Sequence, residues 1–159
     1  MKSGKLPNKI LAELLKHLDI KDKRVKVGPK VGEDAAAIDI GKKYLLVKTD
    51  PITFTSDNLG WYLVNVNIND ICTMGGDPKW LLVTLLFNPK TTQKQIEVIF
   101  KGISNACNKM NISLTELLSK INLKNVSHQV INAFFETIGI ITNKGIFIPC
   151  DPSAINNNL

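Results

Sequence analysis

Three aspartates stand where apolar runs meet turns. "VGEDAAA" places Glu33 and Asp34 directly before one run, "VKTDPITF" ends another on Asp50, and "NINDICTMGGDP" embeds Asp70 in a third. Carboxylates that converge in one dry site repel each other unless a cation neutralises them, and Mg²⁺ takes such hard oxygen ligands together with phosphate oxygens. Gly28, Gly32, Gly75 and Gly76 flank these acids, and glycine lets backbone N–H groups come close to a phosphate. The chemistry these residues could perform together is metal-assisted handling of a phosphorylated ligand. Beside it stands the plainer reading, in which loop aspartates cap turns or face water and the amides of Asn65, Asn67 and Asn69 are satisfied core groups. The standard nucleotide fingerprints, G-x-x-x-x-G-K-[ST] and G-x-G-x-x-G, are absent.

The elements that must position these residues can be read from spacing. Residues 7–18 predict a helix, with Pro7 in the first turn and Ile10, Leu11, Leu14, Leu15 and Leu18 at helical intervals. Residues 19–34 are charged and glycine-punctuated and read as a loop, followed by two short strands, "AAAIDI" and "KYLLVKTD", around a Gly41-Lys42 turn. The stretch "WYLVNVNINDICTMGGDPKW" alternates apolar and polar residues from Val64 to Asn69, which favours a strand by pattern alone. Against that, Asp57 and Asn58 precede it as cap types, Gly75-Gly76 and Pro78 stop it, and its length suits a helix better. The helix is the reading adopted, with Trp61, Val64, Ile68 and Ile71 on one face. "KWLLVTLLFN" predicts a buried strand. Residues 91–111 predict an amphipathic helix capped at Thr91 or Thr92, with Ile96, Ile99, Phe100, Ile103 and Cys107 inward. Beyond Ser113, "LTELLSKINL" looks helical, "SHQVINAFFETI" is ambiguous, and "GIITNKGIFIP" reads as a hairpin around Asn143-Lys144-Gly145. The fold class expected is α+β, a mixed or antiparallel sheet with helices on one face.

Composition narrows the functional classes. The 159 residues are 44% hydrophobic, enough for one modest core. No apolar run approaches a membrane span, and the N-terminus carries scattered charges rather than a signal peptide, so a cytoplasmic location is expected. The three cysteines, at 72, 107 and 150, form no C-x-x-C pair or Cys/His cluster and are expected to be buried free thiols. The net charge of +6 comes from lysines spread along the chain without interleaved aromatics. That argues against nucleic acid and for a solvated surface that also attracts anionic ligands.

"GPKVGEDAAAIDIGKKYLLVKTDPITF" followed by "GWYLVNVNINDICTMGGDPKWLLVTLLFNP" resembles the N-terminal domain of the aminoimidazole ribonucleotide synthetase (PurM-like) superfamily. That superfamily includes thiamine-monophosphate kinase, selenophosphate synthetase, formylglycinamidine synthetase and the hydrogenase expression/formation protein HypE. The resemblance is closest to the HypE-related branch and runs from about residue 5 to residue 113. It implies ATP and Mg²⁺ as cofactors, in a family that activates a substrate oxygen by phosphorylation. Asp34, Asp50 and Asp70 become the metal candidates, and Gly32, Asn67, Asn69 and Gly75 the supporting nucleotide-site residues. It also implies a homodimer in which two sheets form a barrel-like interface, and hydrogenase maturation proteins as partners.

The chain departs from that pattern after Ser113. Where relatives carry a Gly-Gly-Asp-Thr or Gly-Gly-His-Thr element, it runs Ser113-Leu114-Thr115-Glu116. The 46 residues after Ser113 are too few for the family's second α/β domain. Residues 1–113 are therefore expected to be the ATP-binding-type domain and 114–159 an atypical extension, the whole truncated and weak or inactive alone unless a separately encoded second domain completes it. The alternative is a non-catalytic dimerisation module that keeps a relic site. Cys150 lacks the terminal motif of the reactive HypE cysteine, so that role is not carried over.

Overall fold

The computed structural model describes residues 5–52, 57–121 and 132–141. The elements are helix α1 (Asn8–Leu15), strands β1 (Val25–Val27), β2 (Ala36–Asp39) and β3 (Tyr44–Thr49), helix α2 (Leu59–Thr73), strand β4 (Asp77–Phe87), helix α3 (Gln93–Met110) and strands β5 (Ser113–Ile121) and β6 (Asn132–Ile141). The six strands form one sheet in the order β1-β2-β3-β6-β4-β5. Only β4 and β5 pair in parallel; every other neighbour is antiparallel. The α+β class expected from the sequence is the class observed.

Strand parity sets the layers. On β4, Leu81, Val83, Leu85 and Phe87 are buried while Trp80, Leu82, Thr84 and Leu86 are only half-buried. On the β2–β3 hairpin the cross-strand pair Ala37 and Leu46 is fully buried. These inward residues meet Leu59, Leu63, Val64, Ile68 and Ile71 of α2 and Ile99, Ile103, Ala106 and Cys107 of α3. Helices α2 and α3 thus cover the same face of the sheet. They also cross very closely: a Cβ built on Gly60 would lie 2.5 Å from the backbone nitrogen of Ile103 and 2.7 Å from the carbonyl oxygen of Ile99. Only a residue without a side chain permits that approach. Helix α3 starts with a capping box, Thr92 Oγ1 accepting from the Gln95 backbone N–H and Gln95 Oε1 accepting from the Thr92 N–H.

Several details differ from expectation. Residues 113–121 form strand β5 rather than a helix. Leu114, Leu117 and Leu118 have helical spacing, but only Leu117 reaches the core, while Leu114 and Leu118 stay exposed. The edge of β4 offers unpaired backbone groups that a parallel neighbour satisfies, and this tertiary demand overrides local pattern. Thr115 is the extra residue where the register steps from Leu81–Leu114 to Leu82–Glu116, and its hydroxyl donates to the Leu81 carbonyl at 3.2 Å. Strand β6 begins in the ambiguous segment, ends in the first strand expected of the hairpin, and lies between β3 and β4. The hairpin turn expected at Asn143–Gly145 falls outside the described residues. Phe100, expected inward, is exposed, as is Cys72, expected to be buried. Trp61 is exposed although Val64, Ile68 and Ile71 of its helical face are buried, and Cys150 lies outside the described residues. Cys107 is buried as expected, and burial pushes its thiol upward. Asn58 occupies the N-cap of α2 in a left-handed conformation, without a capping bond from its side chain.

Candidate functional site

The last residues of β3 and the C-terminal half of α2 bring two of the three aspartates to one cation. On β3, Leu46 points into the core, so Lys48, two residues on, projects from the same side toward α2. Its ammonium lies 2.7 Å from Asp70 Oδ2 and 3.9 Å from Asp50 Oδ2. The Lys48 and Asp70 side chains are 16% and 22% exposed, against 40% for Asp50. Partial burial keeps this arrangement from being a screened surface contact, since charges held away from bulk water interact more strongly.

Asp34 borders a cavity before β2 rather than the ion pair itself. A cavity of about 390 Å³ is lined by Glu33, Asp34, Ala36, Val47 and Lys48, with Leu11 and Leu15 of α1 closing one side. Glu33 Oε2 is buried there without a hydrogen-bond partner. Among the described residues, no three His, Cys, Asp or Glu side chains stand close enough together to hold a metal ion. The structure therefore joins Asp50 and Asp70 through Lys48 and places Asp34 on a cavity that Lys48 also lines; it does not gather the three carboxylates into a single ligand cluster.

The supporting residues separate by environment. Gly32 and Gly75 have φ of 91° and 74°, a region that penalises any side chain. Gly75 follows α2 in a Schellman arrangement, with its N–H donating to Cys72 O and that of Gly76 to Ile71 O, each at 2.9 Å. Its glycine is thus required by the turn that ends α2, and the space around it is open. Asn69 is exposed on α2 beside Asp70. Asn67 is fully buried; its Nδ2 donates to Leu63 O at 3.0 Å, and its Oδ1 has no partner.

Sequence reasoning selected the acids and missed Lys48, the group that connects them. The signal was present: a lysine at a core-facing position of a strand whose neighbour, Leu46, is fully buried. Glu33 was noticed beside Asp34 but not singled out. A second cavity, of about 420 Å³, lies at the starts of α2 and α3 between Asp57, Asn58, Thr92, Gln95 and Val98, and shares no lining residue with the first.

A helix-backed α+β sheet, with acids delivered from a pre-strand loop, a strand end and a helix, defines a class of domain. The chain belongs to the AIR synthase related protein family, matching its N-terminal domain over residues 32–116, just over half of the sequence. It is 28% identical over 85 residues to the thiamine-monophosphate kinase of Aquifex aeolicus, covering 48% of this chain and 28% of that protein. It is 26% identical over 117 residues to a putative hydrogenase expression/formation protein of Methanocaldococcus jannaschii, covering 70% of this chain and 35% of that one. In fold it resembles a solved structure of AaThiL complexed with AMPPCP and TMP, with a TM-score of 0.65, 20% identity, and coverage of 84% of this chain and 40% of that one. The chain thus spans about a third of the length of these relatives.

Proposed function

We propose that this chain is an ATP- and Mg²⁺-binding domain of the HypE-related type, using Asp34, Asp50 and Asp70 toward the metal and triphosphate. The observation that carries the reading is the convergence of Asp50 and Asp70 on one partly buried cation position, that of Lys48, a residue that also lines the cavity bordered by Asp34. The donor set fits the ion: all its ligands are hard oxygens, and Mg²⁺ characteristically takes one or two protein carboxylates and completes its shell with water and phosphate oxygens. Two carboxylates, rather than three, suffice for that pattern. When bound, the metal would screen the phosphate charges and favour phosphoryl transfer.

The chain's own residues supply the rest. Asp50 and Asp70 orient the ligand shell from a strand end and a helix, both fixed by the core. Gly32 and Gly75 hold loop backbone in the conformations that leave room beside the acids. Asn69 flanks Asp70 on the exposed side of α2, and Asn67 keeps an acceptor oxygen within it. The similarity to a thiamine-monophosphate kinase and to a hydrogenase expression/formation protein supports a phosphoryl-transfer setting and hydrogenase maturation proteins as partners. Isothermal titration with ATP and Mg²⁺ should show saturable heat that Asp50→Ala and Asp70→Ala abolish; no heat from the unsubstituted protein at millimolar nucleotide defeats the reading.

A second reading, a non-catalytic dimerisation module, is favoured by the other face of the sheet. Ile38, Leu45, Trp80, Leu82 and Leu86 are only half-buried on the side that α2 and α3 leave uncovered. Static light scattering should give twice the mass of one chain. A dimer that ignores nucleotide supports this reading over the first, and a monomer at high concentration excludes it.

A further inference from the structure

We propose that Lys48 is an internal counter-cation, occupying the charge position between Asp50 and Asp70 and competing with a divalent metal for those two carboxylates. The inference rests on the reading above for the identity of the metal, and it assigns Lys48 a role in regulating that same site.

The geometry carries it. Lys48 Nζ contacts Asp70 at 2.7 Å and stands 3.9 Å from Asp50, so one ammonium neutralises two carboxylates from different elements. Its side chain is more buried than either acid. It leaves β3 on the side that otherwise contributes Leu46 to the core. A lysine is a compact charge on a flexible stem, able to leave one anionic partner for another. The Asp50 carboxylate beside it is 40% exposed, so the pair opens to solvent on that side and gives the ammonium somewhere to move. While it stays between the aspartates, an incoming divalent ion meets a like charge already 2.7 Å and 3.9 Å from the oxygens it would use. With a triphosphate present, the displaced ammonium gains new anionic partners. Lys48 thereby couples metal entry to nucleotide arrival: Mg²⁺ alone is held off, and Mg²⁺ with a polyphosphate is admitted.

The test uses Mg²⁺ alone, measured by isothermal titration and by the shift in thermal midpoint, on the unsubstituted protein and on K48M, K48R and K48M/D70N. Methionine keeps the apolar stem and removes the charge. K48M is expected to bind Mg²⁺ at least about fivefold tighter, the factor for one unit charge at 4 Å in bulk water. Its midpoint in chelator should be lower, because two carboxylates then face each other, and Mg²⁺ should raise it more than it raises that of the unsubstituted protein. K48R should keep the original affinity, and D70N should cancel the gain. If K48M folds only when Mg²⁺ is supplied, that rescue supports the proposal equally. An Mg²⁺ affinity in K48M equal to or weaker than that of the unsubstituted protein overturns it, as does an unfolded K48M that Mg²⁺ leaves unfolded. Since nucleotide is absent from the comparison, a failure of ATP binding would count against the nucleotide reading without deciding this one.

Discussion

Asn67 sets stability against chemistry within a single side chain. It is fully buried in α2, its amide nitrogen satisfied by Leu63 O and its oxygen left without a partner. A buried acceptor without a donor costs roughly 1–3 kcal/mol, so the asparagine is a poor choice for packing alone. Asn67→Leu is therefore expected to be neutral or stabilising by about 1 kcal/mol in urea denaturation, while weakening nucleotide binding. A loss above about 2 kcal/mol would show that the amide is structural and that its oxygen finds a partner in solution. The same scale shows what was legible in sequence. Asp34 and Asp50 could be chosen because each stands at a glycine or proline break beside an apolar run, and Asp70 because it interrupts an apolar helix. Lys48 was hidden because a lysine in a lysine-rich chain reads as surface; only the parity of β3 against α2 shows it turned inward.

Close crossing of α2 and α3 is the decisive feature among the elements, and it rests on Gly60. An alanine there would push its Cβ to 2.5–2.7 Å from backbone atoms of residues 99, 102 and 103, none of which can yield without moving a helix. Gly60→Ala is expected to cost about 3 kcal/mol. Gly102→Ala, whose Cβ would meet Gly60 Cα at an ordinary 3.4 Å, should change stability by less than about 1 kcal/mol, since alanine also favours the helix interior. Equal effects in thermal melts would mean that the helices separate more easily than they are drawn. Most helices and strands up to residue 112 were readable from punctuation: Thr92 with Gln95 opens α3, and Gly75 with Gly76 closes α2 against an alternating pattern that by itself favours a strand. The three-residue β1, Val25–Val27, was missed within a segment read as a loop because its run is too short and charged to show a period. Strand β5 was misread because its leucines repeat at helical spacing. The place of β6 could not be read, since antiparallel pairing with both β3 and β4 is decided by long-range partners that local pattern does not encode.

In the whole molecule, a sheet covered on one face by α2 and α3 fixes two ends of the site, β3 and α2, against a common core. Ile71 is buried with Leu46, Ala35 and Ala37, and thereby ties the helix that carries Asp70 to strands β2 and β3, the first preceded by Asp34 and the second carrying Lys48 and followed by Asp50. The family match covers residues 32–116, the part in which all the acids lie, while β6 supplies a central strand from beyond it. Among the described residues no helix is long and apolar enough to cross a membrane. The account depends on three separated segments serving one ligand. Amide chemical-shift mapping by NMR, with Mg²⁺ and the non-hydrolysable analogue AMPPCP, tests this most directly. The account predicts that the largest shifts fall together on Gly32–Asp34, Lys48–Asp50 and Asn69–Gly75, saturating with one common affinity. Shifts confined to one of these segments, or centred on the separate cavity around Asn58 and Thr92, would contradict it.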